Sequence, residues 1–186
     1  MVARFPTGDK SEHGIPVWRY EAKVRSFIAE DTTRDLTKQP LAEWIYEGHL
    51  AVEKYPVLVM SKEILEFCEN FRVDSIAYDS WSAQPFAESL DQEGINVAPM
   101  TQSCRMFNAP ISELMQAIRD GRFMHDGDPL LRWCAGNAVL VENSQKQVMF
   151  SKKSSKEKID PIVGLTMGFW RAEVAQQRSI GNPFVS

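Results

Sequence analysis

Two aspartates stand at positions from which a carboxylate can take part in metal-assisted chemistry. Asp79 directly follows the apolar run SIAY at 75–78, which places it at the end of a predicted buried strand. Asp160 lies between Ile159 and Pro161, at the predicted start of the last helix. Hard divalent cations prefer oxygen ligands, and two ions about 4 Å apart can stabilise both the attacking and the leaving oxygen of a phosphodiester. If the two carboxylates converge, this pattern predicts phosphodiester cleavage.

Each aspartate also has a simpler interpretation. Asp79 can close a turn or cap a helix, because aspartate side chains accept hydrogen bonds from nearby backbone N–H groups. Asp160 can stabilise the positive end of a helix dipole. The two residues are far apart in the sequence, so their spacing alone does not show that they meet.

A run of lysines precedes the second aspartate. Residues 146–158 contain one acid, Glu157, and five basic residues: Lys146, Lys152, Lys153, Lys156 and Lys158. A local basic stripe can hold phosphate even on a chain whose net charge is −4. The alternative is a solvated, flexible hairpin or loop with no ligand.

Strands dominate the beginning of the predicted element order. We expect strands at 2–5 and 17–30 with a polar turn at 7–16, and a short helical segment within 34–48 that starts near Pro40. The run YPVLVM at 55–60 comes next. A helix is then predicted from Ser61, whose hydroxyl is expected to cap it.

Helices and strands alternate in the rest of the chain. Helices are predicted at 84–93, 108–120 and 130–139 and from Lys158, strands at 75–78 and 95–100, and a hairpin between 139 and 150. In the helix at 108–120, one face is expected to be buried, formed by Ile111, Leu114, Met115 and Ile118. This order predicts an α/β protein with a mixed β-sheet flanked by helices. We expect one domain at 1–176 and a flexible tail at 177–186.

Composition narrows the class of protein. With 186 residues, 44% hydrophobic and 25% charged, the chain can form one packed domain. It has no apolar run long enough to span a membrane and no secretory signal, so we expect a cytoplasmic protein without a membrane partner. Its three cysteines are expected to be thiols rather than disulfides or zinc ligands. A Walker A motif is absent, which excludes a P-loop ATPase within this sequence.

Three motifs in a fixed order resemble one family. DSIAYDSW, HDGDPLLRWCAGNAVL and KKSSKEKIDPIVGLTMG are similar to successive motifs of the C-terminal nuclease domain of tailed-phage terminase large subunits. The resemblance covers roughly residues 19–172. It implies an RNase H-like fold and a site that uses Mg²⁺ or Mn²⁺, with two ions when the site is complete.

The resemblance also implies roles for individual residues. Asp79 and Asp160 correspond to catalytic metal ligands. Residues expected to bind DNA are Lys152, Lys153 and Lys158, and residues expected to shape the site are His125, Trp133 and Asn137. At Asp128 many relatives have asparagine, which leaves the polar contact expected at that position open.

The chain departs from the family pattern at its beginning. The family has a first strand with a Gly-x-Asp-like motif, whereas this chain begins at what resembles the second strand. Asp9, expected in the turn after that strand, is a poor substitute for the first catalytic aspartate. A sheet that lacks the first strand would leave two neighbouring strands unpaired. Two explanations are open: the chain is a truncated or split terminase gene product from a decayed prophage, or another strand or another chain fills the gap.

The resemblance implies an endonuclease that cuts double-stranded DNA during genome packaging in the cytoplasm of the host bacterium. Expected partners are double-stranded DNA, the terminase ATPase domain, the small terminase subunit and the portal. A second hypothesis is a catalytically impaired module that binds DNA or docks to the packaging machinery. A third is an unrelated α/β enzyme, although motifs of hydrolases, metalloproteases and dinucleotide-binding enzymes are absent from the sequence.

Overall fold

The computed structural model describes residues 1–14, 16–38 and 40–181, with side chains described as far as Val174. Strands within these ranges are β1 (Val2–Lys10), β2 (Pro16–Ala22), β3 (Ser26–Ala29), β4 (Leu50–Glu53), β5 (Ile76–Asp79), β6 (Val97–Met100), β7 (Phe123–His125), β8 (Leu140–Glu142) and β9 (Val148–Phe150). Helices are α1 (Leu41–Tyr46), α2 (Pro56–Asn70), α3 (Gln84–Gln92), α4 (Cys104–Arg119), α5 (Pro129–Asn137) and α6 (Asp160–Gly181).

The strands form four small hydrogen-bonded sheets. The largest has the order β1-β2-β7, with β1 antiparallel to β2 and β7 parallel to β2. Two parallel pairs, β3-β4 and β5-β6, and one antiparallel hairpin, β8-β9, form the other sheets. The predicted mixture of helices with parallel and antiparallel strands is confirmed, although the strands do not form a single sheet. In the described part of the chain, β1 pairs only with β2 and β5 only with β6.

The predicted strand at 17–30 is wrong in extent, because two strands occupy this region. The strand β2 ends at Ala22, where the N–H of Lys23 donates to the carbonyl of Met1, and β3 then joins a different sheet. The predicted turn at 7–16 is also too long. Since β1 continues to Lys10, Asp9 lies within the strand rather than in the turn.

The predicted capping role of Ser61 is wrong. Helix α2 begins at Pro56, a residue that suits the first helical turn because a proline there loses no helical hydrogen bond. Ser61 therefore lies inside the helix, and its hydroxyl donates to the carbonyl of Val57. The residues predicted as a separate YPVLVM run thus belong mainly to the helix, while the unpredicted strand β4 precedes it.

Helix α4 begins earlier than predicted, and the prediction of its buried face is only partly correct. The Ser103 hydroxyl caps it by accepting the N–H of Met106, so the helix gains a turn before residue 108. Its buried residues include Phe107, Ile111 and Leu114. Met115 and Ile118 were expected in the core but are 41% and 54% exposed. The buried stripe runs along positions 107, 110, 111, 114 and 117, so Met115 and Ile118 lie just beside it.

Helices α4 and α6 form the centre of the main core, against which β2 and β7 pack. Six residues in or just before α6 are buried: Ile159, Ile162, Val163, Leu165, Thr166 and Phe169. The ring of Phe169 lies 4.5 Å from that of Tyr20, measured between centroids. A second, smaller core lies between α1, β4 and α5. Of the predicted tail, 177–181 continue α6, and 182–186 lie outside the described residues.

Candidate metal and nucleic-acid site

Asp79 is the last residue of β5, as the apolar run before it predicted. Its carboxylate closes the turn that follows: Oδ1 accepts the N–H of Trp81 at 3.1 Å, and Oδ2 accepts the hydroxyl of Ser82 at 3.3 Å. The simpler interpretation of Asp79 as a turn residue is therefore confirmed, and it does not exclude a second role as a metal ligand. Helix α3 begins only at Gln84, with Ala83 as its N-cap residue, so Asp79 does not cap that helix.

Gln102 is a neighbour of Asp79 that the sequence analysis missed. Its side-chain amide donates to Asp79 Oδ2 at 2.6 Å. Gln102 follows β6, which is parallel to β5 and pairs Met100 with Asp79. The ends of adjacent parallel strands meet at one sheet edge, so a polar residue just after the predicted strand at 95–100 was a usable signal.

Asp160 is the first residue of α6, where helix N–H groups favour a negative charge. Its side chain is 58% exposed, whereas Ile159 beside it is buried in the main core. The buried isoleucine fixes the helix start, and the carboxylate is left facing solvent. One of its oxygens lies 3.0 Å from the ammonium nitrogen of Lys152.

One hydrogen bond and one shared pocket indicate that β5 runs antiparallel to α6. Before the strand begins, the hydroxyl of Ser75 accepts Nε of Arg171 at 2.7 Å. Beyond the strand's other end, Gln102 lines a small pocket together with Val163, less than one turn from the helix start. Asp79 therefore lies towards the end of α6 that carries Asp160.

The lysine run is a structured turn rather than an extended strand. The N–H of Ser151 donates to the carbonyl of Val139, and the Ser155 hydroxyl donates to the carbonyl of Ser151 and accepts the N–H of Val139. These bonds fix the turn that carries Lys152 and Lys153 just before α6.

The three lysines predicted to bind DNA differ in their contacts. Lys152 pairs with Asp160, whereas Lys153 and Lys158 are exposed and have no carboxylate partner within the described ranges. The segment's one acid, Glu157, lies 3.6 Å from the guanidinium of Arg34, so the acid is partly neutralised by a distant part of the chain. The exposed surface before α6 is therefore basic, which suits phosphate.

Asp128 makes the polar contacts that the sequence left open. It is buried and caps α5, because its Oδ1 accepts the N–H of Leu131 at 2.6 Å. Its other oxygen lies 3.5 Å from Nδ1 of His49, a residue that the sequence analysis did not single out. An aspartate at this position thus performs a structural role.

Helix α5 packs against α6, and its Cys134 is buried in the second core. Burial, and then the negative charges of Asp160 and Asp128, raise the pKa of Cys134 to about 12. Because the charge of Asp160 contributes to the raised pKa of Cys134, the Asp160 carboxylate lies near α5. Cys134 is a neutral, buried thiol at neutral pH, as expected for the predicted free cysteines.

The residues predicted to shape the site lie in or before α5. Trp133 packs edge-on to Trp44 in the second core, with ring centroids 5.3 Å apart. The Asn137 amide donates to the carbonyl of Trp133 at 2.9 Å, which holds the end of the helix. His125 is exposed, stacks on Phe123 and accepts the N–H of Gly127. Trp133 and Asn137 therefore order α5, while the contacts of His125 are local.

The donor set can be compared with the needs of Mg²⁺ or Mn²⁺. Among the described residues, no group of three or more His, Cys, Asp or Glu side chains is arranged to hold a metal ion. Mg²⁺ nevertheless keeps several waters and is commonly bound by one or two carboxylates together with substrate phosphates. Asp79 and Asp160 supply such oxygens, and both acids lie towards the same end of α6. Their chemistry suits a divalent ion, while Lys152 holds one oxygen of Asp160 in this structure.

The fold matches a solved structure, the crystal structure of the HK97 bacteriophage large terminase. The TM-score is 0.69 with 22% sequence identity, and the match covers 87% of this chain and 35% of that chain. The chain thus has the RNase H-like fold of a terminase nuclease domain, which confirms the predicted fold class. No helix in the described ranges is both long and apolar enough to cross a membrane.

Residues 26–176 match the family described as terminase large subunit, endonuclease domain, and the chain belongs to this family. One relative is Protein YmfN of Escherichia coli (strain K12), 34% identical over 166 residues that cover 82% of this chain and 36% of the relative. Another is the terminase large subunit of Enterobacteria phage HK97, 27% identical over 194 positions that cover 100% of this chain and 38% of the relative. The chain thus spans a little over a third of the length of these relatives.

Proposed function

We propose that this chain is a divalent-metal-dependent endonuclease domain that cuts double-stranded DNA during genome packaging. The observation that carries the proposal is the placement of Asp79 and Asp160 at the same end of β5 and α6, in a chain of the terminase endonuclease family. Asp160 pairs with Lys152 of the basic turn before α6, and Asp79 lies towards the same end of that helix. This combination suits a phosphodiester substrate.

In this function Asp79 and Asp160 hold Mg²⁺ or Mn²⁺, which when bound supplies charge stabilisation to the scissile phosphate and lowers the pKa of a water. Gln102, Ser82 and the N–H of Trp81 orient the Asp79 carboxylate through the three hydrogen bonds described above. A carboxylate held by three donors loses little rotamer freedom when it binds a cation.

The lysines bind the DNA backbone in this function. Lys153 and Lys158 are exposed and free to meet phosphate oxygens, and Lys152 can join them after leaving Asp160. Phosphate contacts position a duplex without reading its sequence. The proposed substrate is therefore double-stranded DNA of any sequence. As a member of the terminase endonuclease family, the domain would act in the cytoplasm of the host bacterium, with the terminase ATPase domain, the small terminase subunit and the portal as partners.

Plasmid cleavage tests the function directly. Supercoiled plasmid is incubated with the purified chain in Mn²⁺, in Mg²⁺ and in EDTA. The variants are Asp79→Asn and Asp160→Asn, with Asp91→Asn as a charge-matched control at the exposed end of α3. We expect metal-dependent nicking by the wild-type chain and the control, and a loss of about 100-fold or more in the two site variants, as for removal of an essential catalytic group. Equal cleavage by all four proteins would reject the assignment.

A second candidate function is a catalytically impaired module that binds DNA or docks to the packaging machinery. It is favoured by the absence, within the described residues, of a group of three or more side chains arranged to hold a metal ion. Fewer carboxylates weaken metal binding by lowering the charge of the site. Saturable Mn²⁺ binding in calorimetry, together with duplex binding but no cleavage under any metal condition, would support this function over the first.

A further inference from the structure

Lys152 and Asp160 are each predicted to bind a different ligand, yet in this structure they bind each other. The ammonium nitrogen lies 3.0 Å from Asp160 Oδ1, and the two side chains are 51% and 58% exposed. The hydrogen-bonded turn at 151–155 holds the lysine backbone beside the helix start. The contact therefore places a positive charge on a proposed metal ligand.

We propose that Lys152 is a counter-ion that exchanges partners: it neutralises Asp160 when the site lacks a cation and moves to a DNA phosphate when the duplex binds. The proposal rests on the proposed function of the same site. It assigns Lys152 a role distinct from that of Lys153, although the two residues are adjacent on the same turn. Lys152 competes with the metal for Asp160, and DNA relieves this competition.

The exposure of the pair makes the exchange possible. Exposed ion pairs change an equilibrium by roughly 1.4- to 5-fold, because solvent screens them and long side chains lose entropy on pairing. A divalent ion or a phosphate can displace a contact of this strength. A buried pair would resist displacement, because its separated charges would remain without water. The Lys152–Asp160 pair is thus strong enough to weaken metal binding measurably, and weak enough for a metal ion or a phosphate to separate it.

Lys153 provides the matched control. It is exposed, carries the same charge, and has no carboxylate partner in the described part of the chain. If both lysines served only as phosphate ligands, neutralising either one would weaken DNA binding and leave metal binding by the free protein nearly unchanged. At physiological salt the screening length is about 8 Å, so a direct contact outweighs a more distant charge.

The test measures two affinities for the whole chain and its variants Lys152→Gln, Lys153→Gln and Asp160→Asn. Mn²⁺ binding is measured by calorimetry at physiological salt without DNA, and binding of a short duplex is measured in EDTA. We expect Lys152→Gln to bind Mn²⁺ roughly 1.4- to 5-fold more tightly than wild type and the duplex more weakly. Lys153→Gln should weaken duplex binding alone. Partner exchange predicts that a single variant, Lys152→Gln, binds Mn²⁺ more tightly and the duplex more weakly than the wild type.

The outcomes separate this proposal from the function on which it rests. If Asp160→Asn loses Mn²⁺ binding but Lys152→Gln binds Mn²⁺ no more tightly than Lys153→Gln, the exchange is overturned and the metal site stands. If Asp160→Asn binds Mn²⁺ like wild type, both proposals fail. If Lys152→Gln tightens Mn²⁺ binding without weakening duplex binding, the transfer to phosphate is refuted. Because both lysines are exposed, the melting temperatures of Lys152→Gln and Lys153→Gln should match that of the wild type.

Discussion

Substitution of alanine for two glycines one turn apart on α6, Gly164 and Gly168, should change the free energy of unfolding in opposite directions. A Cβ added at Gly168 would lie 2.6 Å from Cγ2 and 3.2 Å from Cβ of Val2, because β1 packs directly on the helix at this point. A Cβ added at Gly164 would have no heavy atom within 4 Å. Both residues are interior to the same helix, so substitution with alanine changes helix propensity equally at the two sites.

The expected magnitudes follow from two competing effects. Alanine is favoured over glycine in a helix interior by about 0.8–1.0 kcal/mol, so Gly164→Ala should be more stable than wild type by up to about this amount. At Gly168 the same gain is opposed by overpacking, which typically costs about 1–3 kcal/mol. Valine has a stiff side chain, and its Cβ is also close, so rotation of Val2 alone cannot clear the contact. The net change at Gly168 should lie between about 0 and −2 kcal/mol.

Thermal and urea unfolding of the single variants measure these changes. For a domain of this size 1 kcal/mol shifts the melting temperature by about 2–4 °C, so the two variants should shift it in opposite directions. The Val2→Ala background supplies a double-mutant cycle, in which the penalty at Gly168 should shrink while the gain at Gly164 persists. If Gly168→Ala stabilises as much as Gly164→Ala, and the cycle shows no coupling, the packing of β1 on α6 is not as described.

Three further measurements address other parts of the chain. Asp128→Ala should lower the free energy of unfolding by about 1–2 kcal/mol in urea, because it removes the buried cap of α5, and Asp128→Asn, which retains an acceptor, should lose less. Burial, and secondarily the charge of Glu113, raise the pKa of Glu173 from an ordinary 4.5 to about 7. The folded state therefore binds this proton more tightly than the unfolded state, so the free energy of unfolding should fall as the pH rises from about 4.5 to about 7. Glu173→Gln should flatten that part of the stability profile, and an unchanged slope would contradict the pKa shift. A thiol reagent at neutral pH should label Cys134 only on unfolding, since the pKa of this buried thiol is raised to about 12, whereas the two half-buried cysteines should react sooner.

Local patterns determined several elements well. The apolar run before Asp79 predicted β5, and the pattern from Lys158 onwards predicted helix α6. The helix predicted at 84–93 is also observed, and Gly94 follows it with a φ of +80° that glycine adopts without strain. These features succeed because they depend on residues close together in the sequence.

Predictions failed where a residue's role depended on a distant partner. Ser61 can cap a helix in isolation, but Pro56 begins the helix earlier and the serine becomes an interior residue. Met115 was predicted on the apolar face of α4, but α6 and β9 pack on the helix along Leu114 and Ala117 and leave Met115 beside the buried stripe. Alternation in residues 17–30 gave no sign that β2 and β3 belong to different sheets, because the pairing partners lie elsewhere in the chain.

The sequence by itself determined which acids and lysines were available to a site, and the order of motifs indicated the family. Only the tertiary structure decided which side chain contacts each acid. Gln102 contacts Asp79, Lys152 contacts Asp160, and His49 contacts Asp128. The physical reason is that strand and helix periodicity act over a few residues, whereas a site is assembled by packing between elements. The direction of β5 along α6 is a property of the folded core, and no local sequence pattern encodes it.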